Sequence, residues 1–268
     1  MTNTDALLAT DMDGTIIPLD AGSAWEDDVA EFRGAVEAHE ELHVAYVTGR
    51  DFQLALQGIA DHDLPEPDLL VCDVGTSVFR RGGREYHMDQ EYARQMAIAL
   101  GPLEAGMIRR HLAAVTGLAP QPEDCQTPFK VSFYIDADLN HPSVLTATRQ
   151  RLETLEGSAQ LVYSVSPQNG MGLVDVLPAG VTKGYSLRFL HELAGIKSHR
   201  TVYAGDSGND LAAFLAGFRS VIVGNAPDDL KEEVRRKGAE EGLAEMLYFS
   251  RRPYAGGVLE GCRHFGIL

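Results

Sequence analysis

Positive charge is scarce in this chain: 23 Lys and Arg stand against 39 Asp and Glu over 268 residues, a net charge of −16. A body this acidic repels phosphate backbones and anionic lipid over most of its surface, which argues against nucleic acid or a membrane surface as partner. Cysteine is scarce too. Cys72, Cys125 and Cys262 are odd in number, far apart and without CxxC or Cys/His spacing, so neither a disulfide framework nor a zinc site is expected. Reduced thiols in a cytoplasm fit that usage. No stretch approaches the roughly 18 apolar residues of a membrane span, and MTNTDALLATDMDG lacks a basic leader segment, so no span or export is expected. Repeats and low-complexity tracts are missing as well. What remains is an ordinary globular composition, 44% hydrophobic and 23% charged, long enough for one large domain or two modest ones.

Short apolar runs alternate with helical patterns through the first half, which favours a parallel sheet with helices on its faces. Strands are expected at Ala6 to Thr10, His43 to Val47 and Asp68 to Asp73, with helices at Trp25 to Ala38 and Asp51 to Asp61 carrying Val29, Phe32 and Val36 or Phe52, Leu56 and Ile59 on one face. TSVFRRGGREYH reads as a hairpin turning at Gly82 and Gly83, where the main sheet should be interrupted. A second α/β unit follows: helices Gln90 to Leu100 and Leu103 to Thr116, strand KVSFYID, helix Pro142 to Leu155 and strand QLVYSV. From GLVDVLP onward the first pattern resumes, with helix Lys183 to Leu193, strand TVYAGD, helix Asp210 to Ala216, strand SVIVGN and helix Asp228 to Lys237. The expected architecture is α/β: a Rossmann-like doubly wound parallel sheet formed by 1–84 and 173–268, with a smaller α/β domain, 85–172, inserted in it.

Polar clusters stand at the carboxyl ends of these strands, where a doubly wound sheet binds its ligands. DMDGT puts Asp11 and Asp13 two apart, so that strand parity returns both carboxylates to one face; a simple turn after a strand would use the same residues. VTGR offers the Thr48 hydroxyl, the open backbone of Gly49 and the Arg50 guanidinium, a set that suits a phosphate oxygen or, more simply, caps the next helix. Lys183 opens a helix, against the usual preference for acids in a first turn, and is an ordinary solvated charge unless an anion is near. GDSGND supplies Asp206, Asn209 and Asp210, oxygen ligands that together with Asp11 suit a hard divalent cation such as Mg²⁺, or else a turn and cap. Four such features at one sheet edge are hard to attribute to independent turns.

In this order, DMDGT, VTGR, TKG and GDSGND resemble the four motifs of the haloacid dehalogenase superfamily of phosphatases, spanning Asp11 to Asp210. The place of the insertion, KVSFYID, GDSGNDLAAF and the ending AGGVLEGCRHFG resemble its sucrose-phosphatase branch, in the shorter bacterial form. The resemblance implies a phosphatase with an inserted cap. Asp11 would be the nucleophile, forming an aspartyl-phosphate that water hydrolyses, and Asp13 the general acid and base. Mg²⁺ would be held by Asp11, the Asp13 backbone carbonyl and Asp206. Thr48, Lys183 and backbone amides near Met12 and Gly49 would hold the phosphoryl oxygens, with Asn209 and Asp210 orienting Lys183 and metal-bound water.

A cap excludes water and reads the leaving group, which favours a small soluble phosphate ester. Lys130 and the loop SPQNGMG, through Asn169, are candidate sugar contacts, with Gly75 and Thr76 also lining the site; an exposed Lys and a bare loop are the plainer alternative. Where the branch places a Lys and an Asp before the VDLLP-like strand, this chain has Gly170, Met171, Gly172 and Leu173. Sucrose 6-phosphate is the leading substrate, followed by glycoside phosphates such as mannosylfructose phosphate or a glucosylglycerate type. A sugar phosphomutase would need convergent cap cations, and Arg80, Arg81, Arg84, Arg109 and Arg110 show no such pattern; a non-catalytic sugar binder could dispense with Asp11 or Asp13. A cytoplasmic monomer is expected, with the upstream glycosyltransferase as the one plausible protein partner.

Overall fold

The computed structural model describes residues 5–19, 25–165 and 169–268, and the chain divides into two compact units, Met1–Asp89 with Thr182–Leu268 and, between them, Gln90–Val181. The first unit opens with β1 (Ala6–Thr10), α1 (Glu26–Glu37), β2 (Leu42–Val47), α2 (Phe52–Asp61) and β3 (Leu69–Cys72). Every residue of β1 is buried, the mark of a central parallel strand covered on both faces. Three acids in the first turn of α1 suit the positive end of its dipole, and the Asp51 carboxylate caps α2 by accepting from Leu54 N at 2.9 Å. A hairpin follows, β4 (Ser77–Gly82) and β5 (Glu85–Met88).

The second unit runs α3 (Gln90–Leu100), α4 (Ala105–Leu112), β6 (Leu118–Pro120), β7 (Val131–Ile135), α5 (His141–Leu152), β8 (Ala159–Val165) and β9 (Gly172–Pro178). The chain then returns to the first unit with α6 (Lys183–Ala194), β10 (Thr201–Gly205), α7 (Leu211–Phe214), β11 (Arg219–Ile222), α8 (Asp228–Glu240), β12 (Leu247–Phe249) and α9 (Tyr254–Phe265).

Strands of the first unit form one sheet in the order β12-β11-β10-β1-β2-β3-β4-β5, parallel except for the hairpin. Chain order runs outward in both directions from the β1/β10 pair, which is the topological switch point where such sheets gather ligands. Strand parity sends Leu8, Val44, Val202 and Val221 into a core with Val29, Phe32, Val258 and Cys262 of α1 and α9. In the second unit the order is β6-β7-β9-β8, antiparallel throughout, over a core that includes Ile108, Leu112, Phe133, Leu145 and Val174.

Two of these expectations do not hold, and one helix comes in addition. The hairpin does not interrupt the main sheet: β4 pairs antiparallel with β3, from Leu69↔Arg80 to Cys72↔Ser77, and so extends it. GLVDVLP does not rejoin the first unit. As β9 it pairs with β8 along its whole length, from Ala159↔Pro178 to Val165↔Gly172, and with β7 on its other edge, so the second unit runs to Val181 rather than to 172. Pairing between strands so close in sequence closes a short loop, which costs less chain entropy than a return to the distant sheet. Finally, α9 goes beyond the expected helices.

Candidate functional site

At the switch point β1 delivers Asp11, and β10 delivers Asp206. One carboxylate oxygen from each of Asp11, Asp206 and Asp210 lies within 4.8 Å of the others, the only such group among the described residues. All three side chains are buried. Lys183 Nζ, 2% exposed, reaches Asp11 Oδ2 at 2.8 Å and Asp210 Oδ1 at 2.7 Å. The lysine that opens α6 against the dipole preference is therefore paired with two anions, with the Thr182 hydroxyl capping the helix just ahead of it by accepting from Tyr185 N at 3.2 Å.

Asp210 is saturated. Besides Lys183 it accepts from the Tyr203 hydroxyl, from Asp206 N and Ser207 N at 3.1 and 2.9 Å, and from Ser207 Oγ at 3.2 Å. Its role is to anchor the GDSGND turn and the lysine. Asp11 and Asp206 are less fully engaged: Asp11 Oδ1 accepts from Met12 N at 2.8 Å and Asp206 Oδ1 from the Thr15 hydroxyl at 3.0 Å. Gly14 makes this approach possible, since a Cβ on it would stand 2.3 Å from Asp206 Oδ2, and its φ of +78 is one that side chains resist.

The electrostatics follow from the count of charges. Were all ionised, three carboxylates would face one ammonium and leave two negative charges uncompensated in a poorly solvated place. Burial, reinforced by Asp210 and Asp206 against the pull of Lys183, pushes the Asp11 pKa up to about 8. Burial and Asp210 raise Asp206 to about 6. Burial alone would lower Lys183, but Asp11 and Asp210 outweigh it and hold the ammonium charged. A donor set made of hard oxygens with excess negative charge is one that a divalent cation relieves.

Thr48 is buried at the end of β2, with its Oγ1 accepting from Arg50 N at 3.2 Å, and Gly49 is exposed beside it. Arg50 grips the Asp13 carboxylate with its guanidinium. The loop after β3 is strained: Asp73, Val74 and Gly75 have φ of 57, 58 and 96, the second a β-branched residue in the left-handed region. It is tied to its neighbours by Asp73 N donating to Arg50 O at 2.8 Å and Ser186 Oγ to Gly75 O at 3.2 Å. The Thr76 hydroxyl donates to Asp73 O at 2.9 Å, so it holds the turn. Asn209 is exposed and accepts from Ser207 Oγ at 3.0 Å. In the second unit Lys130 is buried and Asn169 Oδ1 accepts from Met171 N at 3.1 Å; Ser166, Pro167 and Gln168 of the same loop lie outside the described residues.

Sequence reasoning gave no role to Thr15, Tyr203, Val74 or Asn225. Asn225 Nδ2 donates to Gly14 O at 2.7 Å and its Oδ1 accepts from Tyr254 N at 3.0 Å, bracing the turn that carries Asp13. A signal for it existed: Asn225 follows the strand next to TVYAGD and so ends at the same sheet edge.

The family profile of sucrose-6F-phosphate phosphohydrolase matches residues 4–266. The chain belongs to this family. It is a phosphoric monoester hydrolase acting on sugar phosphates, built on the haloacid dehalogenase fold. It is 30% identical to a mannosylfructose-phosphate phosphatase of Agrobacterium fabrum, over 97% of both chains. It is 29% identical over 98% of its length to a glucosylglycerol-phosphate synthase of Pseudomonas anguilliseptica, of which it spans 31%. Among solved structures, the sucrose-phosphatase of Synechocystis in complex with sucrose and phosphate matches with a TM-score of 0.77 and 25% identity, over 98% of each chain. Phosphatases of this superfamily use a divalent metal in general, and the aspartate cluster is in keeping with that. Among the described residues no helix is long and apolar enough to cross a membrane.

Proposed function

We propose that the protein hydrolyses sucrose 6-phosphate through a covalent phosphate ester on Asp11. The observation that carries this reading is the buried carboxylate of Asp11, held by Lys183 at 2.8 Å beside the carboxylate of Asp206. An Asp11 oxygen attacks phosphorus and the bond to the sugar oxygen breaks, that oxygen taking a proton from Asp13. Asp13 then removes a proton from a water molecule, whose oxygen attacks the same phosphorus; inorganic phosphate leaves and Asp11 is restored. Lys183, Thr48 and the amide of Gly49 hold the phosphoryl oxygens while their charge redistributes. Mg²⁺ fits the oxygen donors: Asp11, Asp206 and the backbone carbonyl of Asp13 would hold it, with Asp210 fixing Lys183. When bound, the ion neutralises charge between the attacking carboxylate and the dianionic ester.

The unit Gln90–Val181 serves in this reading as the cap that reads the leaving group, with Lys130 and Asn169 as sugar contacts. Mannosylfructose phosphate is the second reading. It is favoured by the full-length relative of that name and by the uncharged run Gly170 to Leu173. Phosphate release from a panel of sugar phosphates with Mg²⁺, including sucrose 6-phosphate, mannosylfructose phosphate and glucosylglycerol phosphate, tests it. Fastest turnover of sucrose 6-phosphate is expected. A faster mannosylfructose phosphate reassigns the substrate, and isomerised sugar phosphate in place of free phosphate overturns the reaction class.

A further inference from the structure

Arg50 ends VTGR and was expected to touch the substrate, but its guanidinium is seated elsewhere. Nε donates to Asp13 Oδ2 at 2.8 Å and Nη2 to Asp13 Oδ1 at 2.6 Å, a two-pronged grip on the carboxylate. Nη1 donates to the backbone carbonyl of Leu54 at 3.0 Å, in the first turn of α2. The backbone is held as well, with Arg50 N on the Thr48 hydroxyl at 3.2 Å and Arg50 O on Asp73 N at 2.8 Å. Helix α2 leaves room for this: a Cβ at the buried Gly58 would stand 2.3 Å from Nη1 and 3.1 Å from Cζ.

We propose that Arg50 is a positioning residue for the reaction, seated by Gly58 and Leu54 and aiming the Asp13 carboxylate, rather than a ligand of the phosphoryl group. The inference rests on the acid and base role given to Asp13 above. Asp13 lies outside the tightly held group around Asp11, its side chain 40% exposed, and a free carboxylate there would sample several rotamers. The planar fork selects one. Each carboxylate oxygen has two lone pairs and the fork uses one on each, so an outward lone pair on either oxygen is left for the proton passed to the sugar oxygen and later taken from water. The same fixed place serves both half-reactions, and a displacement of about 1 Å at such a centre can cost on the order of 10²-fold. A lysine cannot replace the fork, since its ammonium does not match two oxygens in a plane.

The test compares two esters by kcat/KM, which reports the steps through formation of the phospho-enzyme: the fastest sugar phosphate of the panel above, whose alkoxide must be protonated, and 4-nitrophenyl phosphate, whose leaving group needs no acid. D13N sets the pattern, losing far more on the sugar ester than on the aryl ester. R50M and G58A should repeat that split at about tenfold or more on the sugar ester, within the range of acid catalysis, while the inhibition constant of inorganic phosphate stays within about twofold of wild type. G58A keeps the arginine and its charge, and an alanine suits a helix interior, so a lost fold would not mimic the result. R50K should not restore the sugar-ester rate. Equal losses on both esters with weaker phosphate inhibition, or no loss in G58A, overturn the positioning role. Equal losses on both esters in D13N overturn the acid and base reading and this inference with it.

Discussion

The two units bury different things. In the first, Asp11, Asp206, Asp210 and Lys183 are buried together where parallel strands end; in the second, the buried polar side chains among the described residues are Lys130, Ser132 and Thr148, with no carboxylate. Topology accounts for much of the contrast. A parallel sheet sends every strand's carboxyl end to one edge, so motifs far apart in sequence converge there. The antiparallel order β6-β7-β9-β8 sends successive ends in opposite directions and leaves its sheet to be held by apolar side chains. Chemistry is thus expected to fail with single residues of the first unit, and selectivity to shift with residues of the second.

The sharpest contrast comes from D11N, which removes the oxygen proposed to accept the phosphoryl group and should lower phosphate release on the order of 10⁴-fold or more. Its melting temperature should hold or rise in metal-free buffer. Asp11 binds its proton more tightly when folded, with a pKa near 8 against an ordinary 3.8, so its contribution to stability is present at low pH and lost as pH climbs through that window. Asparagine removes the penalty. Unfolding of D11N under conditions where wild type is folded would break the comparison, since the cluster would then be a structural element.

Next in size, EDTA should abolish turnover by on the order of 10³-fold, and Mg²⁺ should restore it and raise the melting temperature of the wild type but not of D206A. A chelated enzyme that still turns over sugar phosphate contradicts the metal role. In the second unit, K130M and N169A should change kcat/KM on sugar phosphates by roughly tenfold and leave 4-nitrophenyl phosphate nearly untouched, as lost hydrogen bonds to a leaving group would. Equal losses on both substrates would move those residues out of the recognition role.

The smallest effect concerns stability alone. Glu260 of α9 accepts from the Tyr248 hydroxyl at 2.7 Å, Ser250 Oγ at 2.8 Å and Arg252 N at 3.0 Å. Burial would raise its pKa, but these donors win and bring it to about 2. A depressed carboxylate stabilises the fold above its ordinary value of 4.5 and loses that contribution as pH falls toward 2. E260Q should therefore cost about 1–3 kcal/mol in urea denaturation at neutral pH and flatten the acid side of the stability curve, with kcat unchanged.

Much of the first unit was legible because its signals are local. The strands Ala6–Thr10 and Leu42–Val47 are short apolar runs, and the capped or acid-led starts of α1, α2 and α6 appear within a few letters. The site motifs are equally local, each at the end of its own strand. The three-residue edge strands β6 and β12 carry too little pattern to stand out, and the apolar run of β9 reads as a strand of the first unit although its partners put it in the second. Asp73 and Val74 gave no warning of left-handed backbone, which their tethering to Arg50 and to the Gly75–Ser186 bond accompanies.

By itself the amino-acid sequence determined the alternating α/β design, the acidic surface and the placing of Asp11, Thr48, Lys183 and Asp206 at strand ends or helix starts, since each depends on neighbours within a few residues. Only the tertiary structure decided α9, whose glycines argue against a helix yet let it lie close: a Cβ on Gly257 would stand 2.2 Å from Arg252 O, and one on Gly261 2.2 Å from Val221 Cγ2. It decided equally that Arg50 grips Asp13 across 37 positions of chain, because side-chain direction and the room left by a distant glycine are properties of packed surfaces and not of the order of residues.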